Sequence, residues 1–498
     1  MSNDLCVATR QNVRAYLEAI PPSITLYDVD VTPAPSDVHP ADVDLSTTIG
    51  NARLNIPIMS PPMDTVTGPA LSKALAAMGG CGVLYRHPDP HQQMQWLTEV
   101  LEYKPCIVRE PASLRDTSSI EEAERILKVN GFSTIPVTDD AGRLAGVLFT
   151  KDVAFKWHRE DTVSKWMVPL ERLKVEKVGT PWTRIRERLL HEQECSVLPI
   201  IDGEHRLHGI YFMKDVVHAN PSTHIGTVPL VGMAIGVHES DIERIKVLMS
   251  AGTSAVIVID SSHGDCAAVI EQTRRVRRLS ELGWLTTIIA GNVADIDGGG
   301  YRRLADAGAD AVKVGIGSGS ICTTTMVTGA GVGMVTAIRA CVEARRNMAD
   351  TLKAPTIIAD GGINGPGDAV KALLVGADAV MAGKWLVAAS ESHSAVTRGI
   401  APDGRIAYRG MASREAIIER LSDRYGKKKT APEGVAGFVL HRGPLMQWLP
   451  EDLELVRGGF AHAGARNLRE LHARGEDPAS LNRYSSVGRQ QGAIRVEM

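Results

Sequence analysis

The sequence predicts an α/β chain, a closed (β/α)8 barrel interrupted by an inserted two-repeat module. Two observations predict the barrel. Eight short β-branched runs, at 56–60, 82–85, 230–236, 255–260, 286–292, 311–315, 356–361 and 379–383, each end in Gly or a polar residue. Helical patterns follow most of them, for example 68–78, 239–251 and 367–375. Continuously apolar strands alternating with helices indicate a parallel sheet buried on both faces, and eight such units indicate closure. The third observation concerns the gap between the second and third runs, which is far too long for one crossover and carries its own repeat.

In that gap Pro136, Gly146 and Asp152 are echoed by Pro199, Gly209 and Asp215, at a constant offset of 63 residues. Each copy reads as strand, polar turn, strand and a Lys-Asp helix start. Three regions are therefore expected: 1–106 with the first part of the barrel, 107–222 with repeats at about 107–165 and 166–222, and 223–498 with the rest of the barrel. The repeat resembles a CBS-domain pair, a module that binds adenine or guanine nucleotides. That family commonly carries a Thr where Phe149 and Phe212 stand here, while Asp152 and Asp215 hold the usual ribose position. The resemblance implies a possible purine nucleotide effector.

Composition narrows the class. The chain has 498 residues, 44% hydrophobic and 4% aromatic, with net charge −3. The longest basic run, 427–429, is three residues, which argues against nucleic-acid or anionic-membrane partners. Seven cysteines stand singly, without a CxxC pair, so a reducing compartment is expected. No stretch approaches the roughly 18 apolar residues of a membrane span. A cytoplasmic protein is the expectation.

The run Lys313–Thr325, KVGIGSGSICTTT, carries the chemistry. Gly315, Gly317 and Gly319 alternate after a strand, so backbone groups can approach a ligand closely. Ser320 adds a hydroxyl suited to phosphate. Cys322 sits at the C-terminal mouth of a barrel strand, where barrel enzymes place their chemistry, and a thiolate there is a candidate nucleophile. Asp360 ends a strand before Gly361-Gly362, where a carboxylate can accept both hydroxyls of a ribose. Gly383-Lys384 follows the eighth strand, whose loops commonly build a phosphate site in this fold.

The string KVGIGSGSICTT…VTGAGVG resembles the active loop of the IMP dehydrogenase/GMP reductase family. The motifs at Ile58 to Thr67, Asp260 to Gly264, Ala290 to Val293, Ile358 to Ile363 and Tyr408 to Met411 follow in that family's order. The resemblance spans nearly the whole chain and implies a purine nucleotide substrate, IMP or GMP, and usually a homotetramer. It places Ser60, Met63, Ser320, Asp360, Gly361, Gly362, Gly383, Lys384, Tyr408, Gly410, Met411 and Glu433 around the substrate. It places Asp260, Ser261, Ser262, Asn292, Gly315 and Gly317 around NAD. Carbonyls of Gly317, Gly319 and Cys322 would meet a potassium ion, although the C-terminal tail departs from the family pattern. Further departures are Lys384 where serine is usual, Thr325 where arginine is common, Gly365-Pro366 for a polar pair, and the absence of Pro-Gln across 332–335.

Two chemistries share this core. In both, the resemblance implies that Cys322 would form a covalent thioimidate at purine C2. Its hydrolysis gives XMP; its formation from GMP with loss of ammonia, followed by reduction, gives IMP. The dehydrogenases use an Arg-Tyr pair to activate water, matched by Arg424-Tyr425, with Thr324 on a second proton route. The reductases carry a glutamate where Arg414 stands. The expectation is therefore an NAD-dependent IMP dehydrogenase, with GMP reductase, and then a catalytically idle nucleotide-binding paralogue, as alternatives.

Overall fold

The computed structural model describes residues 22–103, 107–109, 111–130, 134–149, 160–180, 182–190, 196–216, 223–224, 228–250, 255–282, 286–348, 354–419 and 431–483. The chain divides into two compact units. One comprises residues 1–103 and 220–498, the other 104–219.

The first unit contains a closed barrel of eight parallel strands. They are β1 (Ile58–Ser60), β2 (Cys81–Leu84), β3 (Val231–Ile235), β4 (Val256–Asp260), β5 (Thr287–Val293), β6 (Ala311–Val314), β7 (Thr356–Asp360) and β8 (Ala379–Met381). The barrel closes where β8 pairs with β1, Val380 opposite Ile58 and Met381 opposite Met59. Each of the eight runs expected from the sequence overlaps one of these strands; six contain theirs whole, while Cys81 and Val293 lie one residue outside 82–85 and 286–292.

The pleat sorts every strand into two faces. Met59, Val83, Val256, Val258, Ile289, Ala311, Ile358, Ala379 and Met381 pack together in one cluster, the barrel interior. Their neighbours Ile58, Leu84, Ile257, Ile259, Ile288, Val312, Ile357, Ala359 and Val380 pack in a second cluster with the surrounding helices. Successive side chains on a strand point to opposite faces. Counting on by two from Val258, Ala311 and Ile358 puts Asp260, Lys313 and Asp360 on the inward series, at the C-terminal end of the barrel.

A hairpin of two antiparallel strands, β9 (Arg405–Arg409) and β10 (Ala436–Leu440), follows the barrel strands. The long helix Leu445–His462 buries Leu449, Leu453, Val456 and Phe460. Its Asp452 accepts from Trp385 Nε1 at 2.7 Å and from Arg442 at 2.6 Å, joining it to the segments after β8 and β10.

The second unit holds two four-stranded sheets. The 63-residue offset is visible atom by atom. Asp139 Oδ1 accepts from the amides of Ala141 and Arg143, both at 2.8 Å. Asp202 Oδ1 accepts from those of Glu204 at 2.8 Å and Arg206 at 2.9 Å. The sheets do not follow the linear halves. Ile107–Arg109 pairs antiparallel with Leu207–Phe212 of the second copy. Val168–Pro169 pairs with Leu144–Phe149 of the first. Phe149 and Phe212 pack together with Val147, Val197, Ile210 and Leu173, so the positions where a CBS pair commonly has threonines are here apolar and packed. Lys151 and Asp152 lie outside the described residues.

Among the described residues no helix is long and apolar enough to cross a membrane. Ile358 lies fully buried directly below Asp360 in the interior series. Ile358→Ala is expected to destabilise the fold by about 3 kcal/mol, the transfer and cavity cost of a core truncation, read as a lower urea midpoint at an unchanged slope.

Candidate active site

A cleft with about 1020 Å3 of open space lies over the C-terminal ends of the barrel strands. That is room for a mononucleotide and an adjoining ring. It is lined by Cys322, Thr324, Ser320, Met63, Asp360, Gly361, Gly362, Gly383, Lys384, Tyr408, Gly410, Met411 and Glu433. Asp260, Ser261, Ser262, Asn292, Gly315, Gly317 and Gly319 line it too. Residues from 63 to 433 in sequence are thus brought into one concavity.

Two expected residues and one more stand apart. Arg424 and Tyr425 lie outside the described residues. Ser60 is a correction: it is fully buried, does not line the cleft, and accepts a hydrogen bond from Thr67 Oγ1 at 2.8 Å. The pleat explains it. Met59 belongs to the interior series, so Ser60 one step on faces the other way.

The loop after β6 is shaped by its glycines. Gly315 has φ +135°, and a Cβ there would collide with the Asp360 carbonyl. Only glycine takes that backbone at that approach. The loop returns to Cys322, whose amide donates to the Gly319 carbonyl at 3.0 Å. It is then held from the far side. Thr323 N donates to Glu433 O at 3.0 Å, and Val435 N to Ile321 O at 3.0 Å. Glu433 N donates to Ala412 O at 2.9 Å, which ties in the segment after β9.

This clamp aligns three side chains. Cys322 Sγ lies 3.2 Å from Thr324 Oγ1, and Thr324 Oγ1 donates to Glu433 Oε2 at 3.1 Å. A thiol, a hydroxyl and a carboxylate in line form a path by which the thiol proton can leave and a nucleophilic thiolate remain. The two other described cysteines of the core are inert by contrast: burial pushes the Cys81 thiol up to about 12 and raises that of Cys341 further.

Tyr408, also lining the cleft, is buried, which raises its phenol well above the usual range, and it hydrogen-bonds the Ser320 side chain. The hydroxyl is thus a protonated donor. A Cβ at Gly383 would stand 2.6 Å from that hydroxyl, so the glycine keeps the site open. Lys384 is exposed beside it. Met63 and Met411 pack with Tyr85 to form an apolar floor.

Two groups were not singled out by sequence. Lys313 is 1% exposed, with Nζ 2.7 Å from Asp260 Oδ1 and 2.9 Å from Asp360 Oδ2. Burial by itself would lower its pKa, but the two carboxylates outweigh that and push it up to about 12. A lysine inside the apolar run Ala311–Val314 was the available signal. Asn292 Nδ2 also donates to Asp360 Oδ2, at 2.9 Å, and to the Gly315 carbonyl at 2.8 Å. Arg409, between Tyr408 and Gly410, is 4% exposed. It donates to Asp64 Oδ2 at 2.6 Å and to Glu419 Oε1 at 2.9 Å. Asp64 follows Met63, and its amide lies 3.2 Å from Met411 Sδ. The ion pair therefore fixes both methionines of the floor.

A parallel barrel whose strand ends carry a cysteine on a glycine-rich loop, facing a strand-end carboxylate, defines an enzyme of the TIM-barrel class. The model of the IMP dehydrogenase / GMP reductase domain matches residues 23–493, and the chain belongs to that family of oxidoreductases. The inosine-5'-monophosphate dehydrogenase of Streptococcus pyogenes is 36% identical over 463 residues, 90% of this chain and 91% of that one. The Escherichia coli K12 inosine-5'-monophosphate dehydrogenase is 34% identical over 486 residues, 95% of each. Among solved structures, a GMP reductase of Trypanosoma brucei superposes with a TM-score of 0.71 at 27% identity, covering 96% of this chain and 99% of that one. The same enzyme in complex with guanosine 5'-monophosphate gives 0.66 at 28% identity, covering 97% of this chain and 99% of that one.

Two outcomes are expected. Iodoacetamide at neutral pH should modify Cys322 at least about tenfold faster than Cys81 or Cys341, as peptide mass spectrometry would show. Arg409→Met, which leaves the buried Asp64 carboxylate only the half-exposed Arg398 at 3.1 Å, should destabilise the chain by about 2 kcal/mol in chemical denaturation.

Proposed function

We propose that this enzyme oxidises IMP to XMP with NAD through a covalent thioimidate on Cys322. The observation that carries the reading is the Cys322–Thr324–Glu433 chain, 3.2 and 3.1 Å per link, in the same cleft as Asp360. Asp360 would accept the ribose hydroxyls through Oδ1, since Oδ2 is taken by Lys313 and Asn292. Ser320, Tyr408, Gly361, Gly362, Gly383 and Lys384 would hold the phosphate, where Lys384 adds a point charge. Gly410 and Met411 would meet the base over Met63.

The thiol proton would pass to Thr324 and on to Glu433, and the thiolate would add to purine C2. NAD, when held in the cleft, would supply the acceptor for the hydride leaving C2. Attack of water on the resulting thioimidate would release XMP and restore the thiol. Arg424 and Tyr425 would activate that water, with Thr324 and Glu433 as the second proton route. Asp260, Ser261, Ser262, Asn292, Gly315 and Gly317 would hold the cofactor. Asn292 Oδ1, buried without a donor among the described residues, supports that assignment, because buried acceptors are normally satisfied. Gly317, Gly319 and Cys322 would offer neutral carbonyl oxygens to a potassium ion, hard donors that suit it. A homotetramer in the cytoplasm, with the 107–222 module as a CBS pair, completes the proposal. The packed Phe149 and Phe212 speak against a nucleotide at their positions in that module.

GMP reduction is the second reading, favoured by the fit to the GMP reductase structures over 96–97% of this chain. Absorbance at 340 nm decides. IMP with NAD and potassium should give a rise, abolished by Cys322→Ala and slowed about 100-fold or more by Arg424→Ala or Glu433→Ala. A fall with GMP and NADPH, and no rise with IMP and NAD, would make the chain a reductase.

A further inference from the structure

The inward pleat of three strands converges on one buried cation. Asp260 ends β4, Lys313 lies on β6 and Asp360 ends β7, and β6 is hydrogen-bonded directly to β7. Lys313 Nζ reaches both carboxylates, at 2.7 and 2.9 Å, from a side chain that is 1% exposed. Its third neighbour is Met381 Sδ at 3.9 Å, which leaves the ammonium two ionic partners to divide its protons between. Asp360 Oδ2 receives a second donor from Asn292, whose other bond goes to the Gly315 carbonyl at the root of the catalytic loop.

We propose that Lys313 is a positioning residue that couples the two halves of the cleft: one ammonium, shared by Asp260 and Asp360, makes the substrate side sensitive to the state of the cofactor side. The proposal rests on the reading of Asp360 as the ribose acceptor and Asp260 as a cofactor contact. A buried cation with two anions cannot satisfy both at full strength. Hydrogen bonds to charged groups are strong in a low-dielectric surround, and chains of them polarise one another. When Asp260 is engaged or neutralised, Lys313 bonds Asp360 more tightly. It then draws negative charge from the carboxylate that must accept the ribose hydroxyls. Met59, Ile358 and Met381 line the interior beside it and keep water from the ammonium, while Asp260 and Asp360 stay partly open to the cleft. By thermodynamic reciprocity the same coupling acts in the other direction.

A double-mutant cycle on the full chain tests this, with IMP as titrant in a calorimeter and no cofactor present. Asp260→Asn should weaken IMP binding at least about threefold in the otherwise native chain, a coupling in the ordinary range for residues sharing one network. In the Lys313→Met background the same change should no longer weaken IMP binding, because it then only removes a like charge beside Asp360. A general loosening of the site would lower affinity by the same factor in both backgrounds, and so would a direct field of Asp260 on the nucleotide. Equal weakening in both backgrounds therefore overturns the proposal, as does a tightening or no shift in the otherwise native chain. If Lys313→Met lacks native circular dichroism, Lys313→Gln replaces it, with the same expectation. Absence of any IMP binding by the native chain would bring down the functional reading and this proposal together. Binding without coupling would bring down this proposal alone.

Discussion

The ion triad of Asp260, Lys313 and Asp360 depends on a geometric constraint: a closed parallel barrel has an inside. Each strand contributes alternate residues to that interior, and the middle of the interior is apolar. An isolated lysine in such a place would lose its charge, because burial of an unpaired ammonium is prohibitive. Two carboxylates at the same depth reverse the balance and hold it protonated. In return the lysine holds Asp360 in the cleft with one oxygen committed inward. The β6–β7 register that sets Lys313 opposite Ile358 also brings the loop after β6 against Asp360.

On this rigid rim the reactive loop is added as a strap closed from both ends. Glycines let it turn back on the strand end without collision, and backbone bonds from Ile321 and Thr323 to the 433–435 segment pin it. The pinning turns a flexible cysteine loop into a defined line from thiol to hydroxyl to carboxylate. The same strap brings together residues over 100 positions apart in the chain, Cys322 and Glu433. Preorganisation of this kind is what general acid–base and nucleophilic catalysis both need. Arg409 does for the apolar floor what Lys313 does for the rim: a buried cation between acidic groups fixes Met63 and Met411 from two distant segments.

The inserted unit follows a different logic. Its two halves are copies in sequence, but each sheet takes an edge strand from the other half, Ile107–Arg109 in one case and Val168–Pro169 in the other. An exchanged edge removes an unpaired strand from each sheet and makes the halves interdependent. The two phenylalanines pack with the interior of the unit instead of presenting polar groups. That sets this copy of the module apart from the pattern it resembles.

Much of this was legible in one dimension. The eight strands showed as β-branched runs because both faces of a parallel barrel strand are buried, so the apolar signal is continuous. The loop around Cys322 showed because glycines at 315, 317 and 319 have no other use at such spacing. The 63-residue repeat showed because like folds keep like turns. The roles of Ser60, Lys313 and Arg409 did not show. Ser60 sits within a family motif, yet a one-residue step of the pleat turns it from the cleft to the helices. Lys313 reads as a stray charge in an apolar strand until β4 and β7 are placed on either side of it. Arg409 reads as a surface arginine until Asp64 and Glu419 arrive from 345 and 10 residues away. Sequence determined the periodicities and the reactive groups, because those are local. Only the tertiary structure decided which charges share a buried space, because ion pairing in low dielectric depends on distances that barrel closure alone sets.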